Sequence, residues 1–533
     1  MKPLFLCYDL KGIQTFIFQV PRLRWIIGGS ALIDHFDREG TKRFDRDGAT
    51  RLFTGGGKGA FRCRDQATAE RLQRELRECA RAIGASIQFG VDQSFGEAAH
   101  VAGASYPFLP DPASLEGHPC AESGLYPVAN PGDVHPVIQR RTNSGDFEMR
   151  RWFENRLSGP LRLAAGLPAG WLFFHDLDPS SAGGEQVMEA YAASAALGGR
   201  NRWAVIAMDG NDMGQQFAAA SGMKEWPEDT LVSWLQNMGT ALDDASQSAC
   251  IAGMQAVIEK WSEDERAVRQ ATLANATRVL PLRPLVVGGD DIVVLCHAAY
   301  AMDFVRAACA KFAASTAEAN RRYEEKTGAG PLWLATAGQV SISAGLLFCS
   351  TGLPLSSAIP YAESLLASAK YEGRTRARTG SPAPACVDWE HVTESLVDTP
   401  AARRHREMFF IDRDLGDEAL VRLTRRPYAV DDLRDLERLR DGYETIPGSV
   451  RHAVVQGLRA PFWERRLLLA RLDKRHAALV DDLDEGELQN RKAPARSRWK
   501  IEGIERSTDV VDALLLLEER SRASSRAAEE DRT

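Results

Sequence analysis

The apolar positions fall into a pattern that repeats. Near the start, Leu4 to Tyr8 reads as a buried strand. It is followed by a helix-like apolar run from Ile13 through Trp25 to Ile33. Leu52 to Phe61 then reads as strand, glycine turn and strand around Gly55-Gly56-Gly57-Lys58. Gln66 to Ala85 has helical periodicity, with Ala69, Leu72, Leu76, Cys79 and Ala80 on one face. Ile87 to Val91 closes the unit as a strand. The order is strand–helix–strand–strand–helix–strand, the split βαβ arrangement of a ferredoxin-like unit. The same order returns later. Trp203 to Met208 is a continuous apolar strand, suggesting burial on both faces. A helix over 230–261 follows, then two β-branched runs around Gly288-Gly289-Asp290-Asp291, a helix over 301–323, a strand over 340–348 and a helix over 359–370.

The two glycine turns differ in chemistry. The later one exposes two adjacent carboxylates at a hairpin tip, where glycine lets a ligand approach the chain closely. Adjacent carboxylates raise each other's pKa unless a cation stands between them. Mg²⁺ suits carboxylate oxygens combined with substrate phosphates. Gly-rich turns with Asp are also common in ordinary hairpins. The strand ending in Asp209 changes that balance. Asp209-Gly210-Asn211-Asp212-Met213-Gly214 leads straight into a helix, whose free N–H groups suit phosphate oxygens. Asp212 reads equally as a helix cap. In the split βαβ topology the first strand neighbours the hairpin, so Asp209 should stand beside Asp290 and Asp291. Three such carboxylates can hold two divalent ions for phosphoryl transfer. Lys370, late on its helix, suits a triphosphate or a solvated surface position.

Between the two units, prolines 107, 110, 112, 119, 127, 131 and 136 break any long element. His118, Cys120 and His135 are too scattered for a zinc site. Residues 147–157 read as a basic helix with Arg150, Arg151 and Arg156, suited to solvent or to RNA phosphates. His175-Asp176 lacks the further His and Asp residues of a metal hydrolase. Beyond residue 400 the apolar runs Leu467–Leu472 and Val510–Leu517 read as helices. Arg491, Lys492, Arg496, Arg498, Trp499, Lys500 and Arg506 form a basic stretch, readable as an RNA contact or a solvated loop. The patterns divide the chain into 1–110, 111–200, 201–395, 396–520 and a polar tail, 521–533, expected to be disordered.

Composition narrows the class. The 533 residues are 44% hydrophobic and 26% charged, as in a globular protein with several cores. A net charge of −7 excludes a globally basic nucleic-acid binder, leaving local patches or metal-bridged phosphates. The nine cysteines show no Cys-x-x-Cys pairing and fit a reducing cytoplasm. Neither a signal peptide nor a membrane span is expected.

Asp209-Gly210, Gly288-Gly289-Asp290-Asp291 and the Ala362–Lys370 helix resemble the palm domain of nucleotide cyclases and polymerases. Ile13-Gln14-Thr15-Phe16-Ile17 with Trp25-Ile26-Ile27-Gly28-Gly29-Ser30 resembles the opening of the first palm in the Cas-ten family (Cmr-two in one subtype), the large subunit of type III CRISPR effectors. The resemblance implies an α+β fold of two ferredoxin-like palms, the first without metal ligands, and a helical C-terminal domain meeting neighbouring subunits. It implies cyclic oligoadenylate synthesis from ATP on Mg²⁺ or Mn²⁺, with Asp209, Asp290 and Asp291 as catalytic metal ligands. Gly210, Asn211, Gly214, Gly288, Gly289 and Lys370 are the expected nucleotide contacts. Other effector subunits, guide RNA and target RNA are the expected partners. The chain opens at the palm, so no HD nuclease activity is expected of it. Cys120 alone stands where many members carry a zinc-binding cysteine cluster, and Asn211 where an Asp is frequent. Two other readings follow from the same residues: a non-catalytic RNA-binding scaffold with a relic palm, and a diguanylate-cyclase-like enzyme.

Overall fold

The computed structural model describes residues 4–18, 23–46, 48–104, 202–222, 226–263, 278–328, 330–336, 338–350, 353–378, 381–392, 398–412, 419–460, 462–472, 500–502 and 505–525, with short pieces between 118 and 173 and between 476 and 498. The expectations for Cys120, His135, residues 147–157, His175-Asp176, Arg491, Lys492, Arg496, Trp499 and the last eight residues lie outside the described residues.

The first unit comprises β1 (Leu4–Lys11), α1 (Ile13–Phe18), α2 (Leu23–His35), β2 (Ala49–Gly55), β3 (Lys58–Cys63), α3 (Gln66–Ile83), β4 (Ser86–Asp92) and α4 (Phe95–Gly103). Its four-stranded sheet runs β2-β3-β1-β4. Asp65 caps α3 by accepting from Thr68 N at 2.8 Å, and Gly84 ends the helix in the left-handed region.

The second unit comprises β5 (Arg202–Gly210), α5 (Met213–Gly222), α6 (Glu228–Glu263), β6 (Leu282–Gly288), β7 (Asp291–His297), α7 (Ala301–Thr327), β8 (Ile342–Ser350), α8 (Leu355–Arg376) and β9 (Cys386–Val392). Its sheet repeats the first unit's order as β6-β7-β5-β8, and β9 extends the same sheet. The continuous apolar run of β5 is buried on both sides. Ala204, Ile206 and Met208 join the core beneath α6 and α7, while Trp203, Val205 and Ala207 join the core beneath α8. Gly345 lets α8 lie directly on β8, since a Cβ there would collide with Ala362 O and Leu366 N.

The two units embrace reciprocally. α2 of the first packs on β6 of the second, and α6 of the second packs on β2 of the first. This is the contact pattern of a two-fold dimer built into one chain.

The C-terminal region contains α9 (Pro400–Met408), β10 (Phe409–Asp412), β11 (Ala419–Arg422), β12 (Tyr428–Ala429), α10 (Leu433–Gly442), α11 (Gly448–Gly457), α12 (Phe462–Leu472), β13 (Lys500–Glu502), β14 (Glu505–Ser507) and α13 (Val510–Ser525). The helical expectation was incomplete: β10, β11, β14 and β13 form a four-stranded sheet, and β12 joins the sheet of the second unit. Within the basic stretch, Arg498 is not a solvated loop residue. It pairs with Asp435 at 2.8 Å and also with Asp509. α13 continues to Ser525, into the segment expected to be a tail.

Candidate functional site

Strand register explains how the acids meet. β7 pairs with β5 in antiparallel register as far as Ile292 opposite Met208, so the next step places Asp291 beside Asp209. In the first unit the same register pairs Asp9 with Lys58. Gly288 is paired with Asp291 and Gly55 with Lys58, so the two hairpin turns are equivalent. In the first, Gly56 and Gly57 both have positive φ, +60° and +75°. In the second only Gly289 does, at +60°. Asp290, in the place of Gly57, therefore occupies backbone open to a residue with a side chain.

The acids share one environment. Gly210 leaves room for Asp290, whose Cβ would lie 3.0 Å from a Cβ added there. Asp290 lies close enough to Asp209 for the two carboxyls to interact. Burial and then the charges of Asp209 and Asp291 hold its pKa well above the carboxylate range, against the pull of Lys370. Burial and Asp209 push Asp291 up to about 7, opposed by Lys370 and Lys58. Lys370 donates to Asp209 Oδ2 at 2.6 Å and to Gly210 O at 2.8 Å. It is thus tied to the acids in this structure. Among the described residues no three His, Cys, Asp or Glu side chains form a ready metal cage. Asp209, Asp290 and Asp291 are close enough to raise one another's pKa, a repulsion that protons or positive charge relieve.

Two cavities meet at Asp291. One, of about 320 Å³, lies between the units and is lined by Asp9, Gln14, Lys58, Val286, Gly288 and Asp291 among others. The other, of about 260 Å³, is lined by Ile13, Met208, Asp209, Asp291, Glu363 and Lys370 among others. The glycine turns touch above them: a Cβ on Gly289 would lie 3.5 Å from Gly56 N.

Both turns are tethered. Asp37 accepts from Gly57 N at 2.6 Å and from the Tyr8 hydroxyl at 3.0 Å. Ser246 on α6 donates to Gly289 O at 2.7 Å. Arg38, next to Asp37, forks onto Asp243 of α6 and so joins the tethers across the two units. Asp37 and Arg38 lie in a π-helical turn, Phe36–Gly40, an irregularity often found at functional sites.

Of the expected nucleotide contacts, Gly210, Gly288, Gly289 and Lys370 stand at the acids or the adjoining cavities. Asn211 is buried elsewhere and donates to Ser341 Oγ at 2.7 Å and Ser343 Oγ at 3.0 Å, fastening β5 to β8. Gly214 lies within α5 and lines neither cavity. Asp212, at φ +61°, accepts from Ala383 N at 3.1 Å and Gln215 Nε2 at 3.1 Å. It shapes the start of α5 away from the acids. Sequence reasoning missed Glu363, which shares the inward face of α8 with Ala367 and Lys370 and is pushed up to about 7 by burial and Asp291. The i, i+4, i+7 spacing was the available signal. It also missed Asp9, the counterpart of Asp209, which ends in an ion pair with Lys11 at 2.6 Å.

Two ferredoxin-like units, one bearing converged acids at a glycine hairpin, define a paired-palm protein of the cyclase and polymerase class. Residues 202–378 match the family described as Cas10/Cmr2, second palm domain. The match covers the second unit, so residues 202–378 are similar to the second palm domain of that family. No curated protein sequence matches the chain. Among solved structures it is similar to Csm1 of T. onnurineus, with 14% identity over 98% of this chain and 70% of that one, TM-score 0.48. It is also similar to a Csm1–Csm4 cassette in complex with cA4, with 15% identity over 98% and 70%, TM-score 0.47. A cassette in complex with AMPPNP matches at 14% identity over 98% and 70%, TM-score 0.46.

Proposed function

We propose that the chain synthesises cyclic oligoadenylates from ATP by nucleotidyl transfer, as the large subunit of a type III CRISPR effector whose guide and target RNA control the reaction. The observation that carries this reading is the grouping of Asp209, Asp290 and Asp291 beside two adjoining cavities, both lined by Asp291 and one also by Asp209. Two cavities side by side accept two nucleotides. The ribose hydroxyl of one attacks the α-phosphate of the other, a new P–O bond forms, and pyrophosphate leaves. Catalysis of this kind is mainly positioning and charge neutralisation. Asp209, Asp290 and Asp291 would hold Mg²⁺ or Mn²⁺, which when bound would acidify the hydroxyl and neutralise the transferred phosphate. Lys370 keeps Asp209 oriented and adds positive charge to the cavity that it and Asp209 both line. The touching glycine turns bring two backbones close without side chains between them.

The test is incubation with ATP and Mn²⁺, with and without guide–target RNA, followed by mass spectrometry of the products. Wild-type protein should give oligoadenylates. The double substitution Asp290→Ala/Asp291→Ala should abolish them while the melting curve stays cooperative. Undiminished product from that variant, or no ATP turnover by wild type under either condition, overturns the reading.

A further inference from the structure

The cavity between the palms has an imbalance of charge. Four aspartates line it: Asp9, Asp34, Asp37 and Asp291. Among the described residues two cations do, Arg38 and Lys58. Arg38 is committed, since it binds Asp34 at 2.8 Å and forks onto Asp243. Asp9 is matched by Lys11, which does not line the cavity. Lys58 is different. Its side chain is exposed and, among the described residues, enters no hydrogen bond or ion pair, so its charge acts on Asp291 only at a distance. Lys370 in the neighbouring cavity, by contrast, is already engaged by Asp209 and Gly210.

The position of Lys58 is fixed by the fold. It opens β3 directly after the glycine turn and pairs with Asp9, as Asp291 opens β7 beside Asp209. The first palm therefore presents a cation at the place where the second presents an acid. The turns that carry them are in contact.

We propose that Lys58 is the phosphate-binding residue of the first palm, taking the triphosphate of the nucleotide seated in the cavity between the palms. A polyanion entering a cavity lined by four aspartates needs an uncommitted cation. A lysine on a flexible stem is a strong point-charge donor to phosphate. The Gly55 and Gly56 backbone beside it allows the phosphates to approach without a Cβ in the way. This assignment rests on the reading of the site as a nucleotide-transfer centre, and deepens it. The two palms then divide the work, one holding phosphate through a lysine and the other holding carboxylates.

The test uses the full chain with Lys58→Ala, Lys58→Arg and Lys58→Glu. Calorimetric titration compares a non-hydrolysable ATP analogue with adenosine, and initial rates with ATP are measured alongside. Lys58→Ala should weaken the analogue roughly ten- to hundredfold, the range of a charge-assisted hydrogen bond. Lys58→Glu should weaken it further, Lys58→Arg should restore much of the affinity, and adenosine should bind all variants equally. Unchanged analogue affinity in Lys58→Ala, or an equal fall for adenosine, overturns the assignment. The outcomes separate it from the reading beneath it. If wild type makes product and Lys58→Ala binds normally, only the lysine assignment fails. If wild type makes no product but Lys58→Ala loses analogue affinity, catalysis fails and the phosphate contact stands.

Discussion

A single carboxyl shows how the first palm is held. Asp37 is 2% exposed, and its neighbours are a backbone N–H and a phenol rather than a full charge partner. Burial therefore pushes it from 3.8 up to about 7, outweighing those two hydrogen bonds. The folded chain keeps the proton to about pH 7, while the unfolded chain releases it near 4. Folding thus binds the extra proton between those limits, and stability falls as pH rises through them. The shift corresponds to an upper estimate of about 4 kcal/mol. Asp37→Asn keeps an acceptor for Gly57 N and removes the titration. Melting temperatures measured from pH 4 to 8 should fall more steeply for wild type than for this variant, and parallel curves would contradict the account. The importance of Asp37 was not legible in the sequence, where it sits in Phe36-Asp37-Arg38-Glu39-Gly40, an unremarked polar run. Its role depends on a π-helical turn that no periodicity announces. The proximity of Asp209, Asp290 and Asp291 was legible because Asp209 stands at the end of one apolar strand and the other two at the tip of the hairpin paired with it, where register becomes predictable.

At the scale of elements, α8 decides what faces the acids. It carries Lys370 and Glu363, and its height above the sheet is set by Gly345. Gly345→Ala forces the added methyl into the backbone of α8 at Ala362 and Leu366. Overpacking of this kind costs roughly 1–3 kcal/mol or more. The variant should melt lower and also weaken the contact of Lys370 with Asp209, so ATP turnover should drop beyond the loss expected from unfolded protein alone. Turnover per folded molecule equal to wild type would show that α8 had not moved. Long elements of both palms were readable because β5, β7 and α3 carry clear periodicities. The C-terminal sheet was not. β10 has four residues, and β13 and β14 have three each. Glu505-Arg506-Ser507 is too short and too polar to show alternation. Its pairing with β11 is a long-range event decided by tertiary contacts.

For the whole molecule, the junction between the second palm and the C-terminal region is a buried charge network. Asp512 on α13 accepts from Tyr428 at 2.7 Å and Thr424 at 2.8 Å, and pairs with Arg426 at 3.0 Å. Arg426 also reaches Glu390 of β9 at 3.3 Å. Removing one member strands buried charge, a loss of about 3–5 kcal/mol. Arg426→Ala should therefore lower the urea midpoint substantially, whereas Arg321→Ala, which breaks exposed pairs to Glu318 and Glu325, should barely move it. Equal effects of the two substitutions would show that the junction is not a structural lock. The reciprocal embrace of the palms has a different consequence. Because α6 tethers the second turn and, through Asp243 and Arg38, reaches the tether of the first, the two halves of the site meet without diffusing together. Their local concentration is set by the chain and not by the amount of protein in solution. Dilution that would empty a site shared between separate subunits leaves this one assembled, and each chain presents one acid-bearing centre however sparse it becomes.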